Sequence, residues 1–312
     1  MSWKTLDEKV FSKVSDKPLY HYTDQKGLLG ILGDKEIWLT HSQYLNDHKE
    51  FLLAVEMVKE QVEILKSDRP DSESQEIIEI MLGNLDGLHQ ANVMVCSFSE
   101  EPDSLSQWRA YGGKSGGFAI GFPGETLFSD FKNTGIHFGK CIYDKDEQRN
   151  FIQEIVNDVF DTHKNWPKDG QDDYGRRLPN QLIPNLLRYA ALLKHKSFEA
   201  EKEWRFITSK GCSDRNFDFR PGPSTIIPYY KKSLLNEKQE LSLHEIIVGP
   251  TQYPKLSAEA VTSLLISQDD PKNEKGEIQP HIVWHARKFL NPSNTVPMRL
   301  SDVPYRNWQS RA

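Results

Sequence analysis

Apolar residues recur along the chain in two rhythms, one near two residues and one near three and a half, and the switches between them outline its elements. Leu19–Tyr22 reads as a strand ending in the polar pair Thr23–Asp24. Asp24 suits the N-cap of a helix carrying Leu28, Leu29, Ile31 and Leu32, with Gly33 as its stop. Ile37–Thr40 is a second short strand. Behind the helix-start pair Asn46–Asp47, residues Phe51, Leu52, Val55, Val58, Val62 and Leu65 fall at helical spacing. A polar break at Ser67–Ser74 separates this helix from another with Ile77, Ile78, Met81 and Leu85. Val93–Ser99 is rich in β-formers and reads as a buried strand. Asp103 or Ser104 opens a short helix through Trp108 to Tyr111, and Gly112–Gly113 ends it. Strands follow over Gly117–Phe122, with a turn at Pro123–Gly124, and over Ile136–Tyr143. Residues 145–163 read as a helix, Trp166–Arg177 as an exposed loop, and Asn180 to Lys194 as a helix. Trp204–Ser209, 225–230 and 244–249 complete the strands, and residues 6–14 alternate like a short amphipathic helix.

Strands and helices alternate irregularly, and no GxGxxG follows a strand. That argues against a Rossmann fold and for an α+β one. No repeat or long linker divides the chain, and Asp269–Gly276 is the best place for a flexible insertion. With 37% hydrophobic and 11% aromatic residues, the chain of 312 residues is no disordered polymer. It lacks an 18-residue apolar run, and its start, MSWKTLDEKVF, has no signal-type apolar region, so a cytoplasmic protein off the membrane is expected. Cys96, Cys141 and Cys212 show no metal-type spacing and read as reduced, mostly buried thiols, with no metal site. A net charge of -6 opposes a generally basic surface. A local basic groove stays open at Lys194, His195, Lys196, Lys202 and Arg205, although such runs usually form a solvated face.

Three segments set polar groups at the ends of apolar strands, where clefts are usually lined. In Tyr20–Thr23 a strand puts His21 and Thr23 on one face and Tyr20 and Tyr22 on the other. A half-buried edge strand would read the same way. In the second, Ser97 and Ser99 share a face, and Trp108 and Tyr111 sit three apart on the helix that follows. Such a set could hold a flat aromatic ligand, or serve only as a polar turn with core aromatics. The third is Phe198–Phe206. A strand starting near Glu201 would point Glu201 and Glu203 the same way, a carboxylate pair suited to glycosidic-bond chemistry. The alternative there is a charged helix end with surface ion pairs among Glu199, Lys202 and Arg205. His281 and His285 are spaced HxxxH without a metalloprotease glutamate, and neither GxSxG nor a P-loop is present.

Taken in order, YHYTD, IWLTHSQYLND, VCSFSEEPDSLSQWRAYGG, KSFEAEKEWRFI, HEIIVGP and VPYR resemble a bacterial family catalogued as a domain of unknown function, of the DUF2971 type. The resemblance runs from Pro18 to Arg306 and is similar in turn to the ADP-ribosyltransferase superfamily. It implies an α+β fold with a split β-sheet core and peripheral helices, a helical extension over 1–17, a single domain over 18–306 and a tail over 307–312. It also implies NAD as substrate. His21, Tyr22 and Thr23 match the first NAD-reading motif, Ser97 and Ser99 with Trp108 or Tyr111 the second, and Glu201 with Glu203 the third. This mixes the histidine of one superfamily branch with the Ser-x-Ser and Glu-x-Glu of another.

By the resemblance, His21 donates to a ribose hydroxyl, backbone near Thr23 grips the nicotinamide amide, and Tyr111 or Trp108 stacks on the ring. Glu203 stabilises the oxocarbenium charge, and Glu201 orients or deprotonates the acceptor. The acceptor would be a macromolecule, protein or RNA/DNA, and relatives of this kind imply a toxin in anti-phage defence with an antitoxin protein as partner. Two other readings are a catalytically silent nucleotide-, RNA- or protein-binding module, and a hydrolase acting on NAD or another glycoside with water alone.

Overall fold

The structure is a computed structural model and describes residues 8, 10–45, 48–85, 92–113, 116–131, 134–165, 188–269 and 296–304. In chain order they form β1 (Leu19–Thr23), α1 (Gln25–Asp34), β2 (Glu36–His41), α2 (His48–Asp68), α3 (Ser72–Leu85), β3 (Met94–Ser99), α4 (Leu105–Tyr111), β4 (Phe118–Phe122), α5 (Gly124–Phe131), β5 (His137–Lys140), α6 (Lys145–Lys164), β6 (Glu203–Thr208), β7 (Phe217–Pro221), β8 (Ile226–Ser233), β9 (Glu245–Val248), α7 (Pro254–Asp269) and β10 (Met298–Leu300). The fold is mixed α+β, as the pattern predicts.

Two compact units emerge. The first takes Met1–Val14, Ile37–Ser97 and Phe131–Lys232, the second Ser15–Glu36, Phe98–Asp130 and Ser233–Ala312. Each is assembled from three separated stretches, so no linker in the sequence marks them.

In the first unit, helical spacing does its expected work. Val58, Val62 and Leu65 of α2, Ile77, Ile78 and Met81 of α3, and Ile152, Ile155 and Val159 of α6 meet in one core with Val93, Val95 and Ile207. Burying each such side chain stabilises the unit by roughly 2 kcal/mol before chain entropy is counted. Helix α6 starts where Asp144 accepts the N–H groups of Asp146 and Glu147, both at 3.0 Å. Strand β3 is flanked by β2 and β6, and β6 by β3 and β5, so all six residues of β6 are buried. β7 pairs with β8 as an antiparallel hairpin.

In the second unit β4 lies between β1 and β9, antiparallel to both, and is buried along its whole length. β10 adds to β9 in parallel. Tyr20, Tyr22, Trp108, Ala119 and Ile247 form the core, with Val303 packed on it. Asp24 caps α1 as its type and place predict, accepting the N–H of Gly27 at 2.8 Å. The glycines after α4 have a steric reason: a Cβ on Gly117 would stand 2.3 Å from Cα of Gly112 and 2.8 Å from the carbonyl oxygen of Thr23.

Some elements differ from the sequence expectation. Pro123–Gly124, read as a turn, instead opens α5, with the N–H of Leu127 donating to the Pro123 carbonyl at 3.1 Å. β7, α7 and β10 were not foreseen. Asn46–Asp47, the loop at 166–177, the helix from 180 as far as 187, the Asp269–Gly276 insertion past its first residue, His281, His285 and the tail lie outside the described residues, as do 6, 7 and 9. Cys96 and Cys141 are buried and Cys212 is exposed. Among the described residues no helix is long and apolar enough to cross a membrane.

Candidate functional site

A group of buried, ion-paired side chains of the first unit sits at the mouth of β6. Glu203 opens that strand and is 3% exposed. Arg205, two residues on, projects from the same strand face. Its Nε donates to Oε1 of Glu203 at 2.6 Å and its Nη2 to Oε2 at 3.2 Å, a two-point ion pair. Lys194 Nζ also donates to Oε2 of Glu203. The backbone N–H of Glu203 donates to Oη of Tyr143 at 2.8 Å. Burial by itself would raise the carboxyl's pKa, but the charges of Arg205 and Lys194 and their hydrogen bonds outweigh it and hold it at about 2. The same burial pushes the Cys96 thiol up, and the charge of Glu203 adds to it.

Glu201 reaches this group by another route than a continuous strand. Lys196–Glu201 is a 3₁₀ segment, opened by Nδ1 of His195 accepting the N–H of Ser197 at 3.2 Å. Lys202 then takes a left-handed conformation, φ 43° and ψ 52°, and extended backbone begins only at Glu203. The two carboxylates nevertheless meet at one cation, because Lys194 Nζ donates to Oε2 of Glu201 at 2.7 Å. Glu201 keeps 16% of its side chain exposed against 4% for Glu203, so it is the outer member of the pair.

The basic groove is corrected by the structure. Lys194 and Arg205 are 2% and 5% exposed, and their charges face carboxylates. Of that row, Lys194 and Arg205 join a buried network with Glu201 and Glu203, whereas His195, Lys196 and Lys202 are exposed. Tyr143 carried no functional expectation in the sequence, and Lys194 and Arg205 carried one only as part of a basic groove. The available signal was Lys194 ending the apolar run Tyr189–Leu193, a charge where a buried segment was already apparent.

The second unit holds the other candidates apart from Ser97. His21 is half-buried, its ring 5.6 Å from that of Phe98. Tyr22 is a core residue: its hydroxyl donates to the Glu101 carbonyl at 2.6 Å and accepts the N–H of Ser104 at 3.0 Å. Thr23 is half-buried at the strand's end. Trp108 is buried, edge-on to Tyr22 at 4.6 Å, with its indole N–H donated to Asp103 at 2.7 Å. Tyr111, 38% exposed, is therefore the ring of that helix that meets solvent. Ser99 is buried, and its Oγ accepts the N–H of Glu101 at 3.0 Å. Ser97, in the first unit, is half-buried. Strand alternation sets Ser97 and Ser99 on the face of β3 opposite to Cys96 and Phe98. Asp103, missed in the sequence except as a helix start, also accepts Oγ–H of Ser301 at 2.5 Å and the N–H of Asp302 at 2.7 Å.

Residues 107–206 match the model of a family described as a protein of unknown function (DUF2971). That stretch runs from α4 to β6 and holds Trp108, Tyr111, Tyr143, Lys194, Glu201, Glu203 and Arg205; His21, Thr23, Ser97 and Ser99 lie before it. No match was found among curated proteins or among solved structures.

Proposed function

We propose that this protein is an NAD-dependent ADP-ribosyltransferase that breaks the bond between nicotinamide and ribose and passes ADP-ribose to a macromolecule, protein or nucleic acid. The observation that supports this reading most is the carboxylate pair, with Glu203 ionised and buried inside the unit and Glu201 beside it, partly exposed, both on Lys194. Departure of nicotinamide leaves positive charge on the ribose. A carboxylate already charged and oriented stabilises that charge without reorganising. The formal charges of Lys194, Arg205, Glu201 and Glu203 cancel, and the outermost carboxylate of the four is Glu201. In this reading Glu201 faces the reactants and Glu203 is its buried support. The split-sheet fold and the roles of His21, Thr23 and Tyr111 toward NAD rest on the resemblance and belong to the same proposal, as do a toxic role and an antitoxin partner.

The test is release of nicotinamide and transfer of label from NAD labelled in its adenosine half, in cell extract, by wild type and Glu201→Gln. The reading expects release and transfer by the wild type, with a loss of about 10²–10³-fold in the variant. NAD should also raise the melting temperature, since a ligand at 100 times its Kd stabilises a native state by about 2.7 kcal/mol. No release, together with melting curves unmoved by millimolar NAD and ADP-ribose, would sink it.

One observation favours a second reading, that of a silent binding module. Glu203 is saturated by Arg205 and Lys194, as in a purely structural ion-pair network. NAD binding without nicotinamide release would select it.

A further inference from the structure

The two carboxylates have no reason in the backbone to converge. Had Glu201 and Glu203 both been extended, alternation would have aligned them. Instead the chain turns through the left-handed Lys202 between them. Their meeting point is the ammonium of Lys194.

The backbone that carries that ammonium is fixed from several sides. The N–H of Lys194 donates to the Ile142 carbonyl at 3.0 Å, and its own carbonyl accepts Nε2 of buried Gln148 at 2.8 Å. Nε2 of Gln148 also donates to the Ile142 carbonyl at 2.7 Å. Nη1 of Arg205 holds the Ala191 carbonyl at 2.8 Å, so the segment before Lys194 is tied to β6 as well. The Lys194 side chain is 1% exposed, and the Phe198 ring of the 3₁₀ segment lies 5.2 Å from Nζ.

Charge accounting shows what this lysine is for. Arg205 already meets both oxygens of Glu203. A second buried cation is not needed to neutralise that carboxylate, and burying one costs desolvation. It is matched by the second carboxylate, Glu201, whose Oε2 it holds at 2.7 Å. An ammonium has three donors on a flexible stem, so it can serve two acceptors lying in different planes.

We propose that Lys194 is a positioning residue: it ties Glu201 to the fixed Glu203 and so holds Glu201 as the carboxylate presented to the substrate. The assignment of a substrate rests on the transferase reading above, whereas the tie itself does not.

The experiment uses the full chain with glutamate ¹³C-labelled at the side-chain carboxyl, the Glu201 signal being identified by its loss in Glu201→Gln. Side-chain order of Glu201, nicotinamide release and melting temperature are measured for wild type, Lys194→Met and Lys194→Arg. Lys194→Met should leave Glu201 mobile and lower kcat by about 10²-fold, the usual effect of misplacing a reacting group by about 1 Å, with KM changed by less than about threefold. Lys194→Arg should keep Glu201 ordered and kcat within about tenfold of wild type. Where Lys194→Met does not fold, Lys194→Met/Glu203→Gln keeps the network's formal charge at zero while removing the tie, and Glu201 should be mobile in it. Glu201 as ordered without Lys194 as with it overturns the inference, whether or not the wild type turns over NAD. So does a folded Lys194→Met with wild-type kcat. A wild type that releases no nicotinamide removes the transferase reading, and Glu201 order then decides the tie by itself.

Discussion

Replacing Glu203 by glutamine keeps the shape of the side chain and removes its charge, which makes the worth of the buried network measurable. In the folded protein the carboxyl is held at about 2, against 4.5 for the free side chain. At 1.36 kcal/mol per pKa unit that difference is worth about 3 kcal/mol. Because the folded value is the depressed one, this stabilisation is complete above about pH 4.5 and drains away as pH falls toward 2. In Glu203→Gln at neutral pH, Lys194 and Arg205 stay buried with Glu201 as the remaining carboxylate of the network. Breaking a buried pair in this way typically costs about 3–5 kcal/mol, in agreement with the titration figure. Urea unfolding of both proteins at pH 7 and at pH 3 checks it. Tryptophan emission is a suitable signal, since Trp204 follows Glu203 directly and packs against Phe138 at 5.3 Å. Wild type should be the more stable by about 3–5 kcal/mol at pH 7, and the gap should narrow as pH drops from 5 to 2. A difference under about 0.5 kcal/mol at pH 7 refutes the reasoning, as does a gap that ignores pH, because the carboxylate would then be solvated. The same result shows why Glu201→Gln is the cleaner probe of chemistry: a loss of activity in Glu203→Gln could arise from unfolding alone.

Three further outcomes are expected. Asp103→Asn weakens the hold on the Trp108 indole, Ser301 and Asp302; it should cost about 1–3 kcal/mol and speed proteolytic cleavage around residues 298–304, followed by mass spectrometry. Asp144→Ala removes the cap of α6 and should lower stability by about 1 kcal/mol in urea unfolding. Lys202→Gly relieves a left-handed φ of 43° and should raise stability by about 1 kcal/mol, whereas Lys202→Val should lower it, as thermal melting of the two variants will show.

Local chemistry was legible wherever a few neighbouring residues decide the outcome. β1, α1 with its Asp24 cap, β3 and the long α6 all follow from periodicity and capping, because the residues that signal each of them lie within a few positions of one another. Local signals misled where a packed neighbour overrode them. Pro123–Gly124 carries a turn signature, yet Leu127 is buried and the carbonyl of Pro123 starts a helix instead. Trp108 and Tyr111 are equivalent in spacing, and only packing decides that one ring joins the core and the other meets solvent.

By itself the sequence determined the α+β class, most of the strands and helices, and the carboxylates Glu201 and Glu203 as the place to look for chemistry. Burial and pairing were decided by the tertiary structure alone. Lys194 and Arg205 looked like a solvated basic run because charge order along a chain says nothing of which charges face one another after folding. Only when β6 is enclosed by β3 and β5, and the segment 191–194 is tied to it, do two cations and two carboxylates close into a buried network with Glu201 outermost. The physical reason is range. Caps and periodicity act over one or two turns, whereas the Coulomb energy of a charge depends on desolvation and partners brought to it by the whole fold.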